Sequence, residues 1–117
     1  MAGQYDLEER TERFARAVRD FVKRLPKDLS NCEYGRQVIR SSGSVGANYI
    51  EANEALGKRD FLMRIRISRK EVKESGYWLR LVTPGDGQGS EQEGLIKESQ
   101  ELLKIFSAIL KASQGNP

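Results

Sequence analysis

The chain has 117 residues, 32% of them charged, yet its formal net charge is only +3. That is enough sequence for one domain with a real core, residues 1–117, and too little for two. The near balance of charge describes a soluble, salt-bridged domain rather than a bare basic tail, and no run approaches the ~18 apolar residues of a membrane span.

The N-terminal "MAGQYDLEERTERF" lacks the apolar stretch of a signal peptide, so the cytoplasm is the expected compartment. There is one cysteine, Cys32, and no histidine. An internal disulfide and a Cys–His catalytic pair are therefore excluded within one chain, and the commonest general base and metal ligand is missing. Neither a metal nor a cofactor is expected. Cys32, in a first helical turn, reads either as a thiolate of lowered pKa or, more simply, as a small, partly buried residue.

The first periodic segment runs from about residue 6 to 25. Leu7, Phe14, Val18, Phe21 and Leu25 form one heptad-spaced stripe. Glu9 with Arg13, Glu12 with Arg16 and Asp20 with Arg24 supply i,i+4 pairs on the outside, and Pro26 ends the helix.

A second segment, residues 30–56, opens on "SNCE", Ser30 to Glu33, which fits a capping box. It contains "RSSGSVGANYIEANEA", a stretch with two glycines and three serines where a helix is expected. At 100° per residue, Tyr34, Val38, Ser41, Ser42, Val45, Tyr49 and Ala52 share one face, and Arg36, Arg40, Ser44 and Glu51 the other. That separation favours a helix over a loop. Gly43 and Gly46 fall on a flank beside Ile39 and Ile50. Each costs up to about 1 kcal/mol of helix propensity, so a close helix approach is expected to offset them. A phosphate loop is the rival reading, but "GSVGAN" lacks the G-x-x-x-x-G-K-[ST] pattern and a preceding apolar strand. Asn48, at the edge of the buried face, is expected to join two helices.

Gly57 reads as a helix stop and Asp60 as the N-cap of a third segment, residues 60–82. The loop "TPGDGQG" comes next, then "SEQE", Ser90 to Glu93, a second capping box opening a helix over residues 90–113. Leu95, Leu102, Leu103, Phe106, Ile109 and Leu110 form its buried stripe; Lys97, Lys104 and Lys111 mark its solvated side. The final "SQGNP" is expected to fray. With no strand-like alternation, the fold class is all-α, an antiparallel four-helix bundle.

Charge is concentrated on the third helix. Residues 58–82 hold eight Lys and Arg against three Asp and Glu. Phe61, Leu62, Ile65, Val72, Leu79 and Val82 face the bundle. Arg59, Arg66, Lys70, Lys73 and Arg80 form a basic stripe that includes Tyr77. The remaining sector places Met63, Ile67, Trp78 and Leu81 beside Glu71 and Glu74. A bundle helix needs one apolar stripe, so this second one points to a subunit interface, with a widened core as the alternative. The basic stripe reads in two ways. It neutralises nucleic-acid phosphates while Tyr77 stacks on a base, or it is a solvated face whose cations meet carboxylates of a neighbouring subunit.

Over residues 5–112, and above all at "RSSGSVGANYIEANEA" and "KRDFLMRIRISRKEVKESGYWLRLV", the chain resembles the small bacterial four-helix-bundle proteins encoded by intervening sequences of 23S rRNA genes, the S23 family. The resemblance implies a left-handed up-down-up-down bundle assembled as a ring-like homopentamer. It also implies kinship with the accessory variability determinant of diversity-generating retroelements, a basic pentamer that binds a reverse transcriptase and nucleic acid. By position, Asn48, Glu51, Asp60, Phe61 and Trp78 match the family pattern, as structural rather than catalytic residues. The expected function is non-enzymatic: an oligomer contacting RNA or DNA through the basic stripe, or else a protein-binding scaffold such as a reverse-transcriptase accessory subunit. No membrane partner is expected.

Overall fold

The computed structural model describes residues 2–114, and the side chains of residues 7–113. It has four helices: α1 (Ala2–Lys23), α2 (Leu29–Asn53), α3 (Lys58–Leu81) and α4 (Gly89–Gln114), with no strand among the described residues. Of the "SQGNP" expected to fray, Ser113 and Gln114 belong to α4, and Gly115 to Pro117 lie outside the described residues.

Each helix forms where the apolar residues recur at helical spacing. The α1 stripe of Leu7, Phe14, Val18 and Phe21 is buried throughout, as is Leu25 in the bend just after the helix. It meets Val38, Val45 and Ala52 of α2, Ile65, Val72 and Leu79 of α3, and Leu95, Leu102, Phe106 and Leu110 of α4 in one core. Phe21 and Phe106 are fully buried, which stabilises the fold by about 1.5–3 kcal/mol for each side chain. Phe61, Leu62, Leu103 and Ile109 are half-buried against this core.

Helices adjacent in sequence pack together, and α1 closes onto α4. The diagonal pairs do not pack backbone to backbone; they meet through core side chains, as where Tyr49 of α2 lies edge-on to Phe106 of α4 at 6.0 Å. Asn53 of α2 lies against Glu8 of α1, Gly46 against Thr11, and Gly35 against Val22. Between α2 and α3 the pairs are Asn48 with Arg64, Val45 with Ser68, and Ser41 with Ser75.

The helix ends correct several expectations. Asp28, in extended backbone, caps α2 by accepting the Asn31 N–H at 2.8 Å and the Ser30 hydroxyl at 3.1 Å. Ser30 therefore lies inside the helix, because a better-placed carboxylate two residues earlier already satisfies the free N–H. Cys32 is exposed, not partly buried. Gly57 is not the stop of α2, which ends at Asn53; it is the N-cap of α3, without a side-chain hydrogen bond. Asp60 falls in the first turn of α3, where its charge suits the positive helix end. Helix α4 starts at Gly89, ahead of Ser90, and the Gln88 carbonyl accepts the Gln92 N–H at 2.9 Å.

The loops are tied down by two buried amides. Asn31 donates to the carbonyls of Pro26 and Thr83 at 3.0 and 2.9 Å and accepts the Thr83 N–H at 2.8 Å. Gln88 accepts the Gly85 N–H at 2.9 Å and donates to the Phe21 carbonyl at 3.2 Å. The α1–α2 and α3–α4 connections are thereby fixed at one end of the molecule, despite the loop-like composition of "TPGDGQG".

Candidate nucleic-acid interface

The site rests on α3, whose orientation is set by what it buries on either flank. Toward α2 it presents small hydroxyls: Ser75 and Ser41 are 2.8 Å apart, and Ser68 donates to the Val45 carbonyl at 2.9 Å. Toward α4 it presents Gly76, where a Cβ would stand 2.8 Å from the Ser99 hydroxyl. These small residues, interleaved with Ile65, Val72 and Leu79, let both neighbours approach closely and leave one outward face. Apolar periodicity alone does not disclose them, since serine and glycine carry no hydropathy signal.

That outward face carries every residue of the sequence-derived stripe. Arg59, Arg66, Lys70, Lys73, Tyr77 and Arg80 are all exposed. Among the described residues none of the five cations has a carboxylate oxygen within 4 Å, whereas Arg10, Arg16, Arg19, Arg24, Arg36 and Arg40 each do. The Arg10–Glu98 pair is bidentate, and its hydrogen bonds raise the Arg10 pKa above the ordinary guanidinium value. Two other arginines of α3 are committed to its neighbours: Arg64, on the α2 flank, donates to Asn48 at 3.0 Å, and Arg69, beside the stripe, to Ser107 of α4 at 2.9 Å. The five stripe cations thus differ from Arg64 and Arg69, which tie α3 to α2 and α4.

Tyr77 sits in a chain of ring contacts. Its ring meets Trp78 edge-on at 5.1 Å, and Trp78 stacks on Tyr34 of α2 at 5.9 Å. The Arg80 guanidinium lies 5.9 Å from the Tyr77 centroid. Tyr77 remains 49% exposed. The sequence assigns Tyr34 only to the buried face; its role as the second ring under Trp78 depends on α2–α3 register.

The sector assigned to a subunit interface divides. Met63 and Leu81 are exposed and Ile67 is half-buried, but Trp78 packs on Tyr34 and on the core of its own chain. Its Nε1 is buried without a hydrogen-bond partner. Beside it, Glu71 is buried and Glu74 half-buried, with Arg40 Nη2 at 3.5 and 3.6 Å. The Glu71 contact is an ion pair by distance but not a hydrogen bond, leaving Glu71 Oε1 without a partner. The burial of Glu71 is not legible in the sequence, where it reads as a solvated carboxylate.

On α2, Asn48 does join two helices: it donates to the Ser44 carbonyl at 2.9 Å while accepting from Arg64. Gly46 permits the expected close approach, but Gly43 does not. A Cβ at residue 43 meets nothing within 4 Å, because Gly43 lies on the exposed shoulder of the α1–α2 contact. Glu51 is exposed and Phe61 is half-buried against the core. Of the i,i+4 pairs expected on α1, Glu12–Arg16 forms, while Arg24 turns instead to Glu91 of α4 and Asp20 pairs with Arg19. Among the described residues, Glu9 and Arg13 form no ion pair, no group of three or more Cys, Asp or Glu could hold a metal, and no helix is long and apolar enough to cross a membrane.

Residues 4–108 match the family model of the 23S rRNA-intervening sequence protein. The chain belongs to this family. A solved relative is a protein of unknown function from the S23 ribosomal protein family of Bacteroides thetaiotaomicron VPI-5482. It is 27% identical, with a TM-score of 0.75 over 89% of this chain and 97% of that one. No curated protein matches the chain. Family membership thus accounts for the four-helix fold and leaves the activity to be argued from the surface of α3.

Proposed function

We propose that this chain is a non-enzymatic accessory protein of the cytoplasm that binds RNA or DNA through α3. In this reading the antiparallel up-down-up-down bundle assembles as a ring-like homopentamer, as the family resemblance implies. The observation that carries the reading is the segregation of cations: Arg59, Arg66, Lys70, Lys73 and Arg80 are exposed along one face without ion-pair partners among the described residues. Side chains in that state release counterions when they meet phosphates, and a ring would multiply a modest stripe into useful avidity.

The test is fluorescence anisotropy with a structured RNA and a DNA duplex across a salt series, comparing wild type with Arg66→Glu/Lys70→Glu/Lys73→Glu. Binding that falls steeply with salt and is lost in the variant is expected. Absence of binding at low salt would overturn the proposal.

A second reading, a scaffold for another protein such as a reverse transcriptase, draws on the apolar residues bordering the stripe. Met63 is 46% and Leu81 37% exposed. A pulldown that recovers a protein partner with no nucleic acid would favour it.

A further inference from the structure

If α3 binds nucleic acid as proposed, the ring contacts around Tyr77 specify which form it takes. Resting on that reading, we infer that the preferred ligand is single-stranded nucleic acid, bound with one unpaired base stacked on Tyr77 and its neighbouring phosphates on Lys73, Lys70 and Arg66.

Three features point to it. First, an aromatic side chain is out of place on a helix face whose only task is to attract a duplex. In a duplex each base face is covered by the next base pair, so a tyrosine on the phosphate track has nothing to stack on. A single strand offers that face with every nucleotide, and stacking on it is indifferent to sequence. Tyr77 is 49% exposed within the basic stripe, where solvation alone would be better served by another charge.

Second, Tyr77 is pre-oriented. The edge contact with Trp78 at 5.1 Å and 65° fixes the ring tilt, and Trp78 is itself held by Tyr34 at 5.9 Å and 25°. Arg80, 5.9 Å from the ring centroid, completes the support. A ring held in place loses little freedom when a base settles on it, which distinguishes a platform from a loose surface tyrosine.

Third, the spacing suits a strand running along the helix. At 1.5 Å rise per residue, Lys73, Lys70 and Arg66 stand roughly 6, 10 and 16 Å from Tyr77 along the α3 axis, all to one side. Arg80 stands about one turn away on the other. Phosphates flanking a stacked base therefore find cations in both directions, an arrangement of stacking platform and electrostatic track characteristic of sequence-tolerant single-strand binders.

The experiment measures, by anisotropy, the affinity of the full-length protein for an unstructured oligonucleotide and for the same strand annealed to its complement. It is done with RNA and with DNA, for wild type, Tyr77→Ala and Tyr77→Phe. The ratio of single-strand to duplex affinity is the readout. It should exceed one in wild type, persist in Tyr77→Phe, and drop in Tyr77→Ala by roughly 5- to 150-fold, the range for losing one base–aromatic stack. The emission of Trp78, the only tryptophan, should change on adding the single strand and not the duplex, because the stacked base alters the ring against its edge. Equal binding of the two forms, or an unchanged ratio in Tyr77→Ala, would overturn this inference while leaving the basic-stripe reading intact. No binding of either form at low salt would overturn both.

Discussion

Gly46 faces Thr11 so closely that a Cβ at residue 46 would stand 2.8 Å from the Thr11 hydroxyl oxygen and 3.3 Å from its Cβ. Thr11 is buried and its hydroxyl donates to the Glu8 carbonyl at 2.9 Å, so it has no free direction in which to yield. Gly46→Ala should therefore lower stability by about 1–3 kcal/mol, through overpacking of the α1–α2 contact. Gly43→Ala, one turn away with nothing in reach of the new methyl, should raise it by about 0.5–1 kcal/mol. Urea denaturation followed by circular dichroism measures both; equal effects would contradict the assigned α1–α2 register.

Capping of α2 offers a test at its N-terminus. Asp28→Ala should cost about 1 kcal/mol, since the Asn31 N–H loses its acceptor. Ser30→Ala, inside the helix, should stay within about 0.5 kcal/mol. Asn31→Ala removes three hydrogen bonds that hold the two loops and should cost about 2–3 kcal/mol. A larger loss in Ser30→Ala than in Asp28→Ala would return the cap to serine.

Glu71 is a buried carboxylate whose nearest cation, Arg40, is itself 54% exposed. Arg40→Met should destabilise the protein by less than the ~3–5 kcal/mol of breaking a fully buried pair. Adding Glu71→Met to that variant should restore the loss, because the uncompensated charge is gone. Thermal melts of the two variants decide this; additive losses would mean that Glu71 has another partner.

Ile67 and Trp78 occupy one helical sector but differ in their neighbours. If the exposed apolar residues cover a subunit contact, Ile67→Glu should shift the assembly to smaller species in light scattering while helicity is retained. Trp78→Glu should instead lower the melting temperature, because Trp78 stacks on Tyr34 and packs on the core. An unchanged mass in Ile67→Glu would remove that sector from the interface.

Residue patterning at 3.6-residue spacing, polar as well as apolar, is enough to place four helices and to pick out the α1 stripe, the Ser41–Ser42–Val45 face of α2 and the outward basic stripe of α3. Those features are local: each depends on residues a turn or two apart on one helix. The same holds for the all-α fold class, since no segment alternates with the period of a strand. What tertiary structure decided are relationships between residues far apart in sequence. Gly43 and Gly46 are indistinguishable in composition and separate only when Thr11 lies beside one of them. Glu71 and Glu74 read as a pair of solvated carboxylates until the α2–α3 contact buries the first and brings Arg40 to both. Asp28 and Ser30 are both good caps, and backbone geometry after Pro26 selects the earlier one. Trp78 reads as an interface residue because its hydropathy exceeds what one bundle stripe needs, but Tyr34, forty-four positions earlier in the chain, supplies the surface it packs on. Helix formation is governed by spacing along one segment, whereas close approach, desolvation and ring stacking depend on the register between segments, which local periodicity does not carry.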